Sequence, residues 1–86
     1  MNIGNKDYIK YNEKEYQVST VHIENMYIFE TMVFPIKNGI ISGNEVYCFR
    51  TMDLLKSHDK HKDICRNPEK YLNNETINNY LKSKEE

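Results

Sequence analysis

Eighty-six residues with 12 basic and 13 acidic side chains, net charge −1, leave room for one small core and no second domain. The charge is evenly spread, five basic and six acidic side chains up to Arg50 and seven of each after it, which excludes the broad basic footprint of a nucleic-acid binder and the acidic surface of a DNA mimic. No stretch approaches the roughly 20 apolar residues of a membrane span, and MNIGNKDYIK lacks the apolar run of a secretory leader, so a cytoplasmic protein is expected.

The first half reads as strands. Tyr8–Tyr11 is a short β segment, and Asn12–Glu15 is a polar turn. Tyr16–Ile23 (YQVSTVHI) is rich in β-branched and aromatic residues. Tyr27–Ile36 is the strongest strand, closed by Pro35 near its end and by Asn38-Gly39 as a turn signal. Glu45–Arg50 (EVYCFR) returns after the loop. An antiparallel meander of three or four strands over residues 5–50 follows.

After Arg50 the period changes to that of a helix. Thr51 is the expected cap, with Asp53 in the first turn, and Leu54, Leu55, His58, His61, Ile64 and Cys65 recur at helical spacing. Asn67-Pro68 marks a break and restart. The segment from Pro68 to about Lys82 carries a thin stripe of Tyr71, Leu72, Ile77, Tyr80 and Leu81, and the tail 83–86 is expected to fray. The fold class expected is α+β: an antiparallel three- to four-stranded sheet followed by one or two helices packed on it, in a single domain 1–86. Val33, Phe34, Leu54, Leu55 and Ile64 are the expected core.

Few groups have the spacing of a chemical site. Glu30 is one carboxylate in the most apolar stretch of the chain, FETMVFPIKNG. Folding the two strands about Gly39–Ile40 brings it beside Phe49 and Arg50, and a cross-strand ion pair lets an acid live in an apolar strand. No second carboxylate or nucleophile accompanies it at a recognisable spacing, so a structural or partner-contact role is expected. His58, His61 and Cys65 stand at i, i+3 and i+7 on one helical face, and Cys48 in the preceding strand is a fourth conceivable zinc ligand. No C-x-x-C accompanies them, and two helical turns spread the outer ligands widely; no cofactor and no essential metal is expected. Cys48 with His22 can be drawn as a nucleophile pair, but a strand thiol between Tyr47 and Phe49 is expected to be inert. Three glycines exclude a glycine-rich phosphate loop. Two cysteines without an export signal are expected to be reduced.

The motif FETMVF, a turn glycine, then VYCFR and a helix carrying His58 resembles a group of small phage and prophage proteins. The matching residues are Phe29, Glu30, Thr31, Met32, Val33, Phe34, Gly39, Cys48, Arg50 and His58, roughly the middle third of the chain. Two departures stand out: Ser57 replaces a glycine, and the stretch from Arg50 to His58 is shorter. The resemblance implies a phage origin and an α+β hairpin-plus-helix core, and brings no activity with it. An abundance of Asn, Lys, Ile and Tyr, with no Ala or Trp, agrees with an AT-rich bacterial or phage genome.

What remains is a non-enzymatic protein that binds a host or phage macromolecule, expected to be a protein effector, with homodimerisation open. An inhibitor of bacterial defence, similar to anti-CRISPR proteins, is the leading expectation by analogy of size and origin. The alternative is a metal-binding or nucleic-acid-associated phage accessory or structural protein. Tyr8, Tyr11, Tyr16 and Tyr27 are the expected contact tyrosines, with Glu30 beside them.

Overall fold

In a computed structural model, which describes residues 4–23 and 25–84, five strands precede three helices. They are β1 Gly4–Tyr11, β2 Lys14–Ile23, β3 Ile28–Lys37, β4 Ile40–Ile41, β5 Tyr47–Thr51, α1 Leu54–Arg66, α2 Glu69–Leu72 and α3 Asn74–Lys84. The strands form one antiparallel sheet in the order β1-β2-β3-β4, with β5 also pairing β3. The expected α+β architecture is present. The expected tail is not all loose, because Ser83 and Lys84 continue α3; residues 85 and 86 lie outside the described residues.

Turn chemistry sets the register of two hairpins. Asn12 and Glu13 both hold positive φ, 52° and 65°, between the paired Tyr11 and Lys14. Asn38 and Gly39 do the same, at 54° and 79°, between Lys37 and Ile40. Two consecutive positive φ values are what a two-residue type I′ hairpin requires, and its twist matches that of the strands it joins.

Strand alternation then sorts side chains between two faces. Tyr16, Val18 and Thr20 of β2 stand beside Pro35, Val33 and Thr31 of β3, and Tyr47 and Phe49 of β5 continue the row. The helices lie on this face. Tyr16, Val18, Val33, Ile64, Tyr71 and Leu72 form the buried cluster, with Ile9, Tyr11, Val46, Tyr47, Cys65 and Ile77 packed around it.

Helix α1 begins two residues later than its sequence suggests. Thr51 ends β5, and Asp53 is the cap: its Oδ1 accepts from Leu55 N at 2.9 Å and Lys56 N at 3.2 Å. Thr51 still contributes, since its hydroxyl accepts from Asp53 N at 3.1 Å. The helix meets the sheet through Ser57, His61 and Ile64, spaced i, i+4 and i+7. Leu54 and Leu55 were expected in the core and are 56% and 73% exposed. Leu54 belongs to the inward stripe but sits at the helix's first turn. Leu55 follows it by about 100° around the axis, which turns it away from the sheet. Phe34 is half-buried on the opposite face of the sheet from Val33.

The expected second helix is two. Asn73 takes extended backbone (φ −69°, ψ 157°), and its side chain serves both neighbours. Its Nδ2 donates to Glu69 O at 2.7 Å, and its Oδ1 accepts from Thr76 N at 2.8 Å, ending one helix and capping the next. Helix α3 buries none of its side chains fully and is held at its far end by polar contacts. Lys84 Nζ reaches Glu45 Oε2 at 2.6 Å, and Tyr80 donates to the same oxygen at 3.3 Å.

Two stability tests follow from this packing. Ile64→Ala should cost about 2–5 kcal/mol, because it removes a fully buried side chain between α1 and the sheet, whereas Leu55→Ala should stay within about 0.5 kcal/mol. Urea denaturation of the two variants measures both. The α3 tether should respond to pH from both sides. The Lys84 hydrogen bond holds the Glu45 carboxyl below its ordinary value of 4.5, so its contribution is present above that value and lost as pH falls through the lowered one. Burial, then the Glu45 charge, push Tyr80 from 10.0 up to about 12, so its contribution is complete below pH 10 and lost as pH rises toward about 12. Glu45→Gln should flatten the acid limb of a stability–pH profile; an unchanged limb would show that α3 does not depend on this contact.

Candidate functional site: the open sheet face and a buried polar relay

Among the described residues, nothing packs on the face of the sheet opposite the helix layer. On β3 that face presents Ile28, Glu30, Met32, Phe34 and Ile36, and β5 adds Cys48 and Arg50 beside them. Gln17, Ser19, Val21 and Ile23 follow on β2, and Lys6, Tyr8 and Lys10 on β1. An antiparallel sheet with one wet face normally alternates apolar-in and polar-out. Here four of the five outward positions of β3 are apolar.

Glu30 sits in the middle of this surface, directly opposite Arg50 in the β3–β5 register. Arg50 Nε donates to Glu30 Oε2 at 2.5 Å. The flanking strands shield the acid to 9% exposure while the guanidinium remains largely in solvent. Hydrogen bonding to Glu30, followed by its charge, raises Arg50 above its ordinary value. The same surface pushes the Cys48 thiol up, chiefly by burial and next by the Glu30 charge, so Cys48 is a protonated, weakly nucleophilic thiol. The pairing of Glu30 with Arg50 expected from the sequence is therefore present, and Glu30 is buried on the helix-free face of the sheet beneath an exposed Arg50.

The four candidate tyrosines separate. Tyr8 lies on the open face and is 69% exposed. Tyr27 is 75% exposed in the turn between β2 and β3. It holds φ 50°, an uncommon conformation for a bulky residue. Tyr16 is only 4% exposed, in the core beneath the helices, and is corrected from a contact residue to a structural one. Tyr11 is half-buried on the same helix-covered side. Alternation explains both: Tyr16 shares parity with Val18, and Tyr11 shares parity with Ile9.

The proposed metal set and the Cys48–His22 pair do not assemble. Cys48 is on the open face, while His22 stacks on Phe29 at 4.8 Å on the helix side. His58 is exposed on α1. His61 is 2% exposed and stands in a chain of polar contacts that joins three strands to the helix. Its Nε2 is 2.7 Å from Asp7 Oδ2 on β1, its Nδ1 is 2.7 Å from Thr20 Oγ1 on β2, and Thr20 Oγ1 is 2.7 Å from Thr31 Oγ1 on β3. A neutral imidazole satisfies every member. Thr31 donates to Thr20, Thr20 to Nδ1, and Nε2–H to the carboxylate. Among the described residues, no buried side-chain nitrogen or oxygen is left without a partner.

The order carboxylate, imidazole, hydroxyl is that of a nucleophile relay, but the Thr20 hydroxyl is already shared with Thr31. The cleft it adjoins, lined by Asn5, Thr20, Phe29, Leu54, Ser57, His58 and His61, has a volume of about 70 Å³. That is room for about two waters. The arrangement is suited to fastening α1 onto the sheet. Sequence reasoning placed His61 at helical spacing with Ile64 and missed its partners, since Asp7 and Thr20 lie 54 and 41 positions away. Only the strand pairing brings them together.

Comparison of the chain with family models, with curated proteins and with solved structures finds no match in any of the three. Among the described residues, no helix is long and apolar enough to cross a membrane.

If Glu30 and Arg50 hold one another, Glu30→Gln and Arg50→Gln should be non-additive in a double-mutant cycle of unfolding free energies, with the coupling shrinking as salt is added. Additive effects would leave Glu30 unpaired in solution and make it a direct contact for a partner.

Proposed function

We propose that this protein acts without turnover, as a binding protein that covers a surface of a macromolecular partner with the open face of its sheet. The observation that carries the reading is the apolar outward row of β3, Ile28, Met32, Phe34 and Ile36, around the Glu30–Arg50 pair. These four side chains are half-buried in the sheet face, and the part of each that solvent still reaches costs solvation until something covers it, which suits an interaction surface. A stable complex buries roughly 1,200–2,000 Å² in total, about half on each partner. The Cα framework measures 34 × 30 Å across its broad directions, so its face is on the order of 1,000 Å² and is large enough. Tyr8 on the face and Tyr27 at its end supply exposed aromatic anchors, and a central ion pair supplies register.

The partner we propose is a bacterial defence effector, blocked by occlusion in the host-cell cytoplasm, as anti-CRISPR proteins block theirs. Support for this narrower step is the resemblance of the FETMVF…CFR core to phage proteins, together with a near-neutral charge that does not suit a polyanion mimic. A phage accessory or structural protein is the competing reading, and a second copy of the chain is the competing occupant of the face.

Expression in cells that carry one defence system at a time, followed by phage challenge, tests the proposal. Plating should be restored in at least one system. Tyr8→Ala and Met32→Glu should abolish the rescue while far-ultraviolet dichroism stays native, and Leu55→Ala should retain it. Each open-face change should weaken binding to the isolated effector by about tenfold or more. No rescue in any system, together with the protein in purified virions, establishes the accessory reading. A sedimenting dimer that Met32→Glu converts to monomer assigns the face to self-association.

A further inference from the structure

The relay has a second side that fastening the helix does not use. Cys65 stands one helical turn after His61, at i+4, and its side chain lies on the same side of α1. The Asp7 carboxylate oxygen, a His61 ring nitrogen and the Cys65 sulfur lie within 4.8 Å of one another. From this geometry we infer that Asp7, His61 and Cys65 form a binding site for one thiophilic divalent transition ion, of which Zn²⁺ is the representative. This site is distinct from the open face and does not rest on the proposed function.

The donors are of the right kinds. Thiolate, imidazole and carboxylate together select zinc-like ions over magnesium or calcium, which prefer all-oxygen shells. A tetrahedral ion with bonds of about 2.0–2.3 Å spaces its donors roughly 3.3–3.6 Å apart. The present spacings, from 2.7 Å between His61 Nε2 and Asp7 Oδ2 up to the 4.8 Å limit, bracket that range. The group that must move most is free to do so, because the Asp7 side chain is about half exposed. The same exposure leaves the fourth position open to water.

The far side of His61 is already built as a metal-binding imidazole requires. Such a ring holds its other nitrogen on a fixed hydrogen-bond partner, here Thr20 Oγ1 at 2.7 Å. Binding through Nε2 needs the hydrogen moved to Nδ1. The hydroxyl pair accommodates the change: Nδ1–H then donates to Thr20, and Thr20 donates to Thr31. Cys65 binds such an ion as a thiolate, so its thiol proton leaves as the ion enters. The bound ion ties the edge strand β1 to α1.

The set differs from the four residues singled out in the sequence, keeping His61 and Cys65 and replacing His58 and Cys48 with Asp7. That difference makes the test selective. Reduced, metal-free full-length protein titrated with Co²⁺ should bind one equivalent and show tetrahedral d–d absorption with a thiolate-to-cobalt charge-transfer band, both removed by Zn²⁺. Calorimetry in buffers of different ionisation enthalpy should report about one proton released per ion. Cys65→Ser should eliminate the charge-transfer band, and Asp7→Asn, which keeps an acceptor for His61, should weaken binding by about tenfold or more. Thr20→Val should weaken it by about 10–100-fold. Cys48→Ser and His58→Gln should change nothing. All of these residues are half-buried or exposed, so metal-free melting curves of the variants separate folding from binding. An absent charge-transfer band in the wild type, or a band that survives Cys65→Ser and disappears in Cys48→Ser, overturns the assignment.

Discussion

Strand β3 is hydrogen-bonded along both edges, to β2 on one side and to β5 and β4 in succession on the other. Because side chains alternate with a period of two, this single strand divides the molecule. Thr31 and Val33 are sent under α1, and Glu30, Met32 and Phe34 are sent outward. A slip of one residue would bury Glu30 beneath the helix and expose Val33. The register is held against that slip from both ends: the Asn38-Gly39 turn closes the β3–β4 hairpin, and the Glu30–Arg50 contact spans β3 and β5.

On the helix side the core is small, and it is completed by polar groups as well as by apolar ones. His61 and Thr31 are both buried within it. Their burial is tolerable because each polar atom has a partner, so the desolvation of imidazole and hydroxyls is offset within one chain of contacts. Such a chain has directional requirements that apolar packing lacks. It specifies one rotation of α1 about its axis, the rotation that faces His61 toward β1 and β2 and leaves Leu55 outside.

Among the described residues, three short helices accompany a five-stranded sheet, and all three pack on one side of it. The opposite face is nevertheless built with Ile28, Met32, Phe34 and Ile36 in its central strand. A surface of that composition agrees with the proposed binding role, and the pairing with Arg50 neutralises Glu30, the one buried acid among the described residues.

Local chemistry was legible in the residues themselves. The β-rich first half, the Asn38-Gly39 turn, the helical period of the second half, the break at Asn67-Pro68 and the nearness of Glu30 to Arg50 all follow from propensities, turn requirements or a single hairpin fold. Each depends on neighbours in sequence or on one strand pairing, so spacing alone reveals it. What required the tertiary structure was the choice of face. Period-3.6 spacing shows that Leu54, Leu55, His61 and Ile64 recur on a helix, but not which side meets the sheet, and so it could not show that His61 goes in and Leu55 stays out. Nor could it show that Tyr16 is covered while Tyr8 is open, since both stand on alternating strands and only the seat of α1 tells the two faces apart. Asp7 is 54 positions from His61 in the chain, and its meeting with His61 and Cys65 is decided by that same seat.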